Sequence, residues 1–200
     1  MKLSLLFSLL LQISSTYADY SVDSSVYKNS DHEFISHRGS GPYGSYLTME
    51  ITYEPVEKLW RDIESKEGIK LKNRGEAHIT VITPVEFNKV LSKKVSIAEI
   101  DKIALEQRIQ SSKFHIECLG RFKKKMESGE EMTFFAVVTS KDLMSIRKKV
   151  EDLYLEKGGH KGSFRASKFY PHITVGFSKR DLHESDGAIK DKRACFKDIK

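Results

Sequence analysis

The chain has 200 residues, 34 basic and 28 acidic, a net charge of +6 and 39% hydrophobic side chains. That length fits a single domain with a core of its own and excludes a long repeat array. The mild basic excess suits an anionic ligand without demanding nucleic acid, and two isolated cysteines, Cys118 and Cys195, give no cysteine-based zinc motif.

The chain opens on Met1-Lys2, then a leucine-rich run from Leu3 to Leu11 broken by Ser4, Phe7 and Ser8, then Thr16-Tyr17-Ala18. A short basic start, a short apolar stretch and small residues before Ala18 predict a secretory signal peptide over residues 1–18. The run is too short for an ordinary membrane span, so the expected product is a secreted or secretory-pathway chain with no membrane span. Residues 19–44, rich in Ser, Asp and Gly, read as a tail or strap over the domain. Residues 45–200 form the expected single domain. No Asn-x-Ser/Thr sequon occurs. Cys118 and Cys195 can pair in an oxidising compartment, but their spacing does not say whether they meet.

Tyr46 to Tyr53 alternates as a strand. Pro55 opens a helix with Val56, Leu59, Trp60 and Ile63 on its apolar face, and Gly68 stops it. A strand follows over His78–Thr83. Thr83-Pro84-Val85-Glu86 and Ser96-Ile97-Ala98-Glu99 each read as a capping box. Phe114–Phe122 and Met132–Thr139 predict a hairpin around Glu127-Ser128-Gly129. Ser140 caps a helix with Leu143, Met144, Ile146, Val150 and Leu153 inward, ending near Gly158-Gly159. A second strand runs over Pro171–Phe177. Ser178 to Asp181 suits a short helical turn, and residues 189–200 either return as a strand or stay loose. Irregular alternation with hairpins predicts an α+β fold with mostly antiparallel sheet.

One four-residue run occurs twice. AHITVITP at residues 77–84 returns as PHITVGFS at residues 171–178, with the histidines 94 apart (172 − 78). Side chains alternate along a strand, so Ile79 and Val81 share one face and His78 and Thr80 the other. Ile173, Val175, His172 and Thr174 repeat the arrangement. Each copy offers an imidazole and a hydroxyl about 7 Å apart on one face. Two imidazoles flanking one cleft suit phosphodiester cleavage. A neutral His accepts a proton from water or a ribose hydroxyl, and a protonated one donates to the leaving oxygen. The Thr hydroxyls bind phosphoryl oxygens as charge builds. The scheme requires no metal and no other cofactor.

These two His-x-Thr strands resemble the two-histidine (2H) phosphoesterase superfamily, which holds RNA end-processing enzymes, cyclic phosphodiesterases and 2′-5′ phosphodiesterases. Phe169-Tyr170-Pro171-His172-Ile173-Thr174-Val175 is similar to its second motif and Ala77-His78-Ile79-Thr80-Val81 to its first. The pattern looks most like the Swiss Army Knife branch, over roughly residues 45–190. The resemblance implies a bilobal α+β fold with pseudo-twofold symmetry, mostly antiparallel sheets and outer helices. It implies metal-independent cleavage of a phosphodiester on a nucleotide or RNA end. His78 and His172 carry over as the acid–base pair, and Thr80 and Thr174 as phosphate ligands. It does not assign which His is the acid.

Arg165 and Lys168, just before the second motif, are candidate phosphate grips. Tyr170 is a candidate stacking residue, and Tyr46 is another residue that can reach the cleft. Lys123-Lys124-Lys125 reads as a charged hairpin tip more readily than as an RNA contact. No stable protein partner is expected. Two other readings stay open: a module that binds an RNA end or nucleotide without turnover, and an extracellular sugar- or lipid-phosphate diesterase.

Overall fold

The computed structural model describes residues 20–127 and 129–200. The expected signal peptide and Ser128 of the expected turn lie outside them. The strands are β1 (His37–Arg38), β2 (Ser45–Glu50), β3 (His78–Ile82), β4 (His115–Met126), β5 (Gly129–Thr139), β6 (His172–Phe177) and β7 (Cys195–Lys197). The α-helices are α1 (Tyr53–Glu67), α2 (Pro84–Lys89), α3 (Ile97–Glu106) and α4 (Lys141–Glu156).

The strands join into one sheet in the order β1-β2-β3-β6-β5-β4-β7, and every neighbouring pair runs antiparallel. That order is nearly a palindrome. β2, α1 and β3 on one side match β5, α4 and β6 on the other, with β1 and β4 flanking them. The fold is therefore α+β and bilobal, its two halves sharing one sheet around a pseudo-twofold at the β3–β6 seam.

Local signals set most element ends. Gly68 closes α1 in the left-handed conformation at φ 64°, which costs glycine no Cβ clash. Both capping boxes form, Thr83 with Glu86 and Ser96 with Glu99. Ser140 accepts from the Leu143 amide at the start of α4. Three expectations need correction. The β4–β5 hairpin extends well past Phe122 and Met132, with cross-strand pairs out to Met126 and Gly129. The helical turn after β6 forms at Glu184–Asp186, not Ser178–Asp181. Trp60 is only partly buried, with the Arg61 guanidinium over its ring at 4.0 Å.

One face of the sheet carries the core. Leu47, Met49, Ile79, Val81, Phe134, Ala136, Val138, Ile173 and Val175 meet Val56, Leu59 and Ile63 of α1. They also meet Ile100 and Ala104 of α3, and Leu143, Ile146 and Val150 of α4. Each of the Val, Leu, Ile, Met and Phe side chains contributes about 1.5–3 kcal/mol when fully buried. Residues 20–44 lie against this body. Val26 is fully buried, the Asn29 amide donates to the Gln110 carbonyl at 2.8 Å, and β1 pairs with β2.

Arg147 of α4 is buried among carbonyls. It donates to those of Val81, Arg165, Ala166 and Lys168 and pairs with Glu86 at 2.8 Å. The Phe164 and Phe169 rings pack against its guanidinium. It thereby fixes the loop that leads into β6.

Candidate active site

The motif strands β3 and β6 are neighbours, and Ile79 stands opposite Ile173. Continuing that antiparallel register by one residue each way puts His78 opposite Thr174 and Thr80 opposite His172. Opposite residues share a face, so all four project from the face away from the helices. The two histidines are then diagonal neighbours, about 7–8 Å apart between Cα atoms. All four side chains are half-buried.

The His78 side of the cleft is acidic. Glu50 lies opposite His78 across β2, and Glu76 Oε1 is 3.6 Å from His78 Nδ1. Burial pushes the His78 imidazolium pKa down, opposed by Glu50 and Glu76. Thr48 lies opposite Thr80 and donates to Glu50 at 2.8 Å. His37 Nε2 donates to the Thr48 hydroxyl at 3.0 Å, and the His37 ring stacks on Tyr46 with centroids 4.1 Å apart. Tyr46 thus lies on the cleft face, and burial followed by Glu76 and Glu50 raises its phenol pKa. The Thr80 hydroxyl has no hydrogen-bond partner among the described residues.

The His172 side is built around a cation. His172 Nδ1 lies 2.8 Å from the Tyr170 carbonyl, which can only accept, so Nδ1 carries the proton and Nε2 the lone pair. Lys190 Nζ donates to that Nε2 at 3.1 Å and to Asp181 Oδ1 at 2.9 Å. Lys190 and Asp181 are both buried. Asp181 Oδ2 also accepts from Thr174 at 3.3 Å and pairs with Arg74 at 3.2 Å. Burial first, then the Lys190 charge, pushes the His172 imidazolium pKa far down. Burial also lowers the Lys190 ammonium pKa. The charge and hydrogen bond of Lys190 hold the Asp181 pKa down in spite of its burial.

Phe135 walls this end. Its ring meets His172 edge-on at 5.8 Å, and Lys190 Nζ lies 5.4 Å from its centroid. Gly120 stands opposite Phe135, where a Cβ would come within 2.4 Å of the ring. Cys118 and Cys195 form a disulfide with Cα atoms 5.7 Å apart. It answers the pairing question left open by the spacing and ties the segment after β6 to β4.

The remaining candidates divide. Tyr170 reaches the site through its carbonyl, and its side chain lines a cavity of about 780 Å³ with Phe114, Val137, Phe169, Lys190 and Lys192. Arg165 is exposed, its Nε–H directed to the Gly162 carbonyl. Lys168 is exposed and reaches Glu184 at 3.2 Å. Lys123 and Lys124 pair with Glu130 and Asp186, so the lysine triplet is largely neutralised.

The sequence reading did not single out His37, Thr48, Glu50, Glu76, Asp181 or Lys190. Strand alternation from Tyr46 already carried Thr48 and Glu50. Lys190 lies in an irregular segment with no local signal. Among the described residues no group of three or more His, Cys, Asp or Glu is placed to hold a metal ion, and no helix is long and apolar enough to cross a membrane.

Residues 45–183 match the family model of the Swiss Army Knife 2H phosphoesterase domain. No curated protein and no solved structure matches the chain. A match over most of the chain, spanning both His-x-Thr strands, makes this protein a member of the Swiss Army Knife 2H phosphoesterase family.

Proposed function

We propose that this phosphoesterase is a secreted, metal-independent phosphodiesterase acting on a cyclic or linear phosphodiester of a nucleotide or RNA end. The Ile79–Ile173 register carries this reading. It supports a phosphoryl group sitting between two imidazoles, with a threonine hydroxyl beside each.

The surroundings divide the work. His172 is neutral, with Nε2 as its unprotonated nitrogen, so it serves as the general base and takes a proton from the attacking water as the Lys190 hydrogen bond to Nε2 gives way. Burial lowers the His78 pKa, but Glu50 and Glu76 oppose that shift and the substrate's own negative charge adds to them. His78 serves as the general acid and protonates the leaving oxygen as the P–O bond breaks. Thr80 and Thr174 hold non-bridging oxygens. With a 2′,3′-cyclic phosphate, water adds to phosphorus, one ring P–O bond breaks, and a phosphomonoester with a free hydroxyl results.

A second reading, a sugar- or lipid-phosphate diester as substrate, is favoured by the cavity beside His172. Phe114, Val137, Val138, Met144 and Phe169 make much of its lining apolar. One assay tests both. The chain is incubated in EDTA with 2′,3′-cyclic nucleotides, short RNAs with cyclic ends, and glycerophosphodiesters. Turnover of a nucleotide substrate that disappears in His78→Ala and His172→Ala is the expected result. Preference for the glycerol esters selects the second reading, and binding without product leaves only a binding module.

A further inference from the structure

Lys190 is buried, seven residues beyond the end of the family match (190 − 183). Burying an unused ammonium is costly, and its usual compensation is a full set of acceptors. Lys190 has two, Asp181 and His172, and its third N–H has no acceptor among the described residues. Its position is also constrained. His172 Nε2 must face the reacting atoms if His172 works as a base, and Lys190 Nζ lies 3.1 Å from that nitrogen. An oxygen bound at phosphorus beside Nε2 therefore comes within hydrogen-bond reach of the ammonium.

We infer that Lys190 is a third catalytic residue, whose ammonium binds a non-bridging phosphoryl oxygen of the substrate next to His172. The inference rests on the two-histidine phosphodiesterase reading and adds a group that the paired motifs do not contain. Lys190 transfers no proton. As substrate binds, Lys190 turns its N–H from His172 Nε2 to the phosphoryl oxygen and frees that lone pair; water then adds to phosphorus and gives its proton to Nε2, His78 protonates the leaving oxygen, and the P–O bond to it breaks. Lys190 meets the charge that gathers on the phosphoryl oxygens at that moment. A fixed cation in a site walled by Phe135 is worth far more than one in water. In the resting enzyme the same ammonium occupies the Nε2 lone pair and keeps His172 neutral.

The groups facing His172 support this division. Just before its own strand comes the Tyr170 carbonyl. The segment after β6 brings Asp181 and Lys190, β5 brings the Phe135 ring, and β3 brings His78. Arg74 and His183 make their contacts with Asp181 and not with the imidazole. Lys190 is thus the cation in direct contact with the imidazole.

The test compares wild type with Lys190→Met and with Lys190→Met/Asp181→Asn, the double variant leaving no unpaired buried carboxylate. Near-UV circular dichroism establishes that each variant folds, and the double variant decides if the single one does not. Three readouts follow. NMR titration of the His172 ring nitrogens is expected to move up by at least one pH unit in the variants. Inorganic phosphate, as the probe ligand, is expected to bind at least tenfold more weakly. On whichever phosphodiester the wild type turns over, kcat is expected to fall about 100-fold. Unchanged His172 titration together with unchanged phosphate affinity overturns the inference. So does a kcat within threefold of wild type while His172→Ala is inactive, and that outcome leaves the phosphodiesterase reading standing. If the wild type cleaves no phosphodiester, that reading fails by itself, and the titration and phosphate binding still decide what Lys190 holds.

Discussion

Ile79 lies opposite Ile173 at the seam of β3 and β6, and both side chains are buried in the helix-covered core. Neither residue does chemistry. Their pairing places each motif histidine across from the other motif's threonine, because antiparallel neighbours in register share a face. A slip of one residue would turn one motif into the core. The hydrophobic pattern that builds the core therefore also sets the site.

The proposed division between the histidines predicts different responses to the leaving group. Each of His78→Ala and His172→Ala is expected to lower kcat/KM on an alkyl phosphodiester by about 10²–10⁴-fold. A p-nitrophenyl ester leaves without needing a proton. It is expected to restore most of the loss in His78→Ala and little of it in His172→Ala. Equal restoration in both would reject the assignment.

Breaking the Cys118–Cys195 bridge is expected to affect stability and catalysis together. The bridge closes a long loop and holds the segment that carries Lys190 against β4. Cys195→Ser is expected to cost about 2–4 kcal/mol in urea unfolding and to lower kcat more than it raises KM. Full activity in the reduced or substituted chain would show that β7 pairing alone positions Lys190.

Arg147 predicts a purely structural defect. Its guanidinium satisfies four carbonyls and Glu86 from a buried position. Arg147→Met removes this donor from the four carbonyls and the partner cation from Glu86, and is expected to cost about 3–5 kcal/mol. Limited proteolysis should then cut near residues 164–168 faster than in wild type. An unchanged midpoint and cleavage rate would contradict the clamp.

Acidification is expected to destabilise the fold well before carboxylates titrate. Unfolded His172 takes a proton near pH 6.5, whereas the folded side chain resists protonation to about 3. Within that window the unfolded chain binds more protons. The stability is thus full above about pH 6.5 and is lost progressively as pH falls. Each pH unit removes about 1.4 kcal/mol, or roughly 3–5 °C of Tm for a chain this long. His78 and His183, also held down by burial, act in the same direction. Differential scanning calorimetry from pH 7.5 to 5 in wild type and His172→Gln checks it. A flat wild-type Tm would refute the buried neutral imidazole.

Much of the frame was legible because its signals are local. Gly68, the Thr83 and Ser96 capping boxes and the Ser140 cap each act within a few residues, and each forms as the sequence indicates. The alternation in His-Ile-Thr-Val assigns core and cleft faces before any partner strand is known. The hairpin outruns its apolar alternation because its charged outer half is held by cross-strand pairing instead, as in Lys123 with Met132 and Lys125 with Glu130. Arg147 lies on an apolar helix face with no local signal of its role, since the carbonyls that satisfy it come from distant segments.

The sequence by itself determined that two strands would each carry an imidazole and a hydroxyl on one face, since a period of two follows from backbone geometry alone. It also determined the family, because both motifs lie within the matched residues. Only the tertiary structure decided what surrounds them. The join of β3 to β6, the Cys118–Cys195 bridge, and the arrival of Asp181 and Lys190 beside His172 are long-range events. They depend on where an irregular segment packs, and packing leaves no periodic trace in the chain.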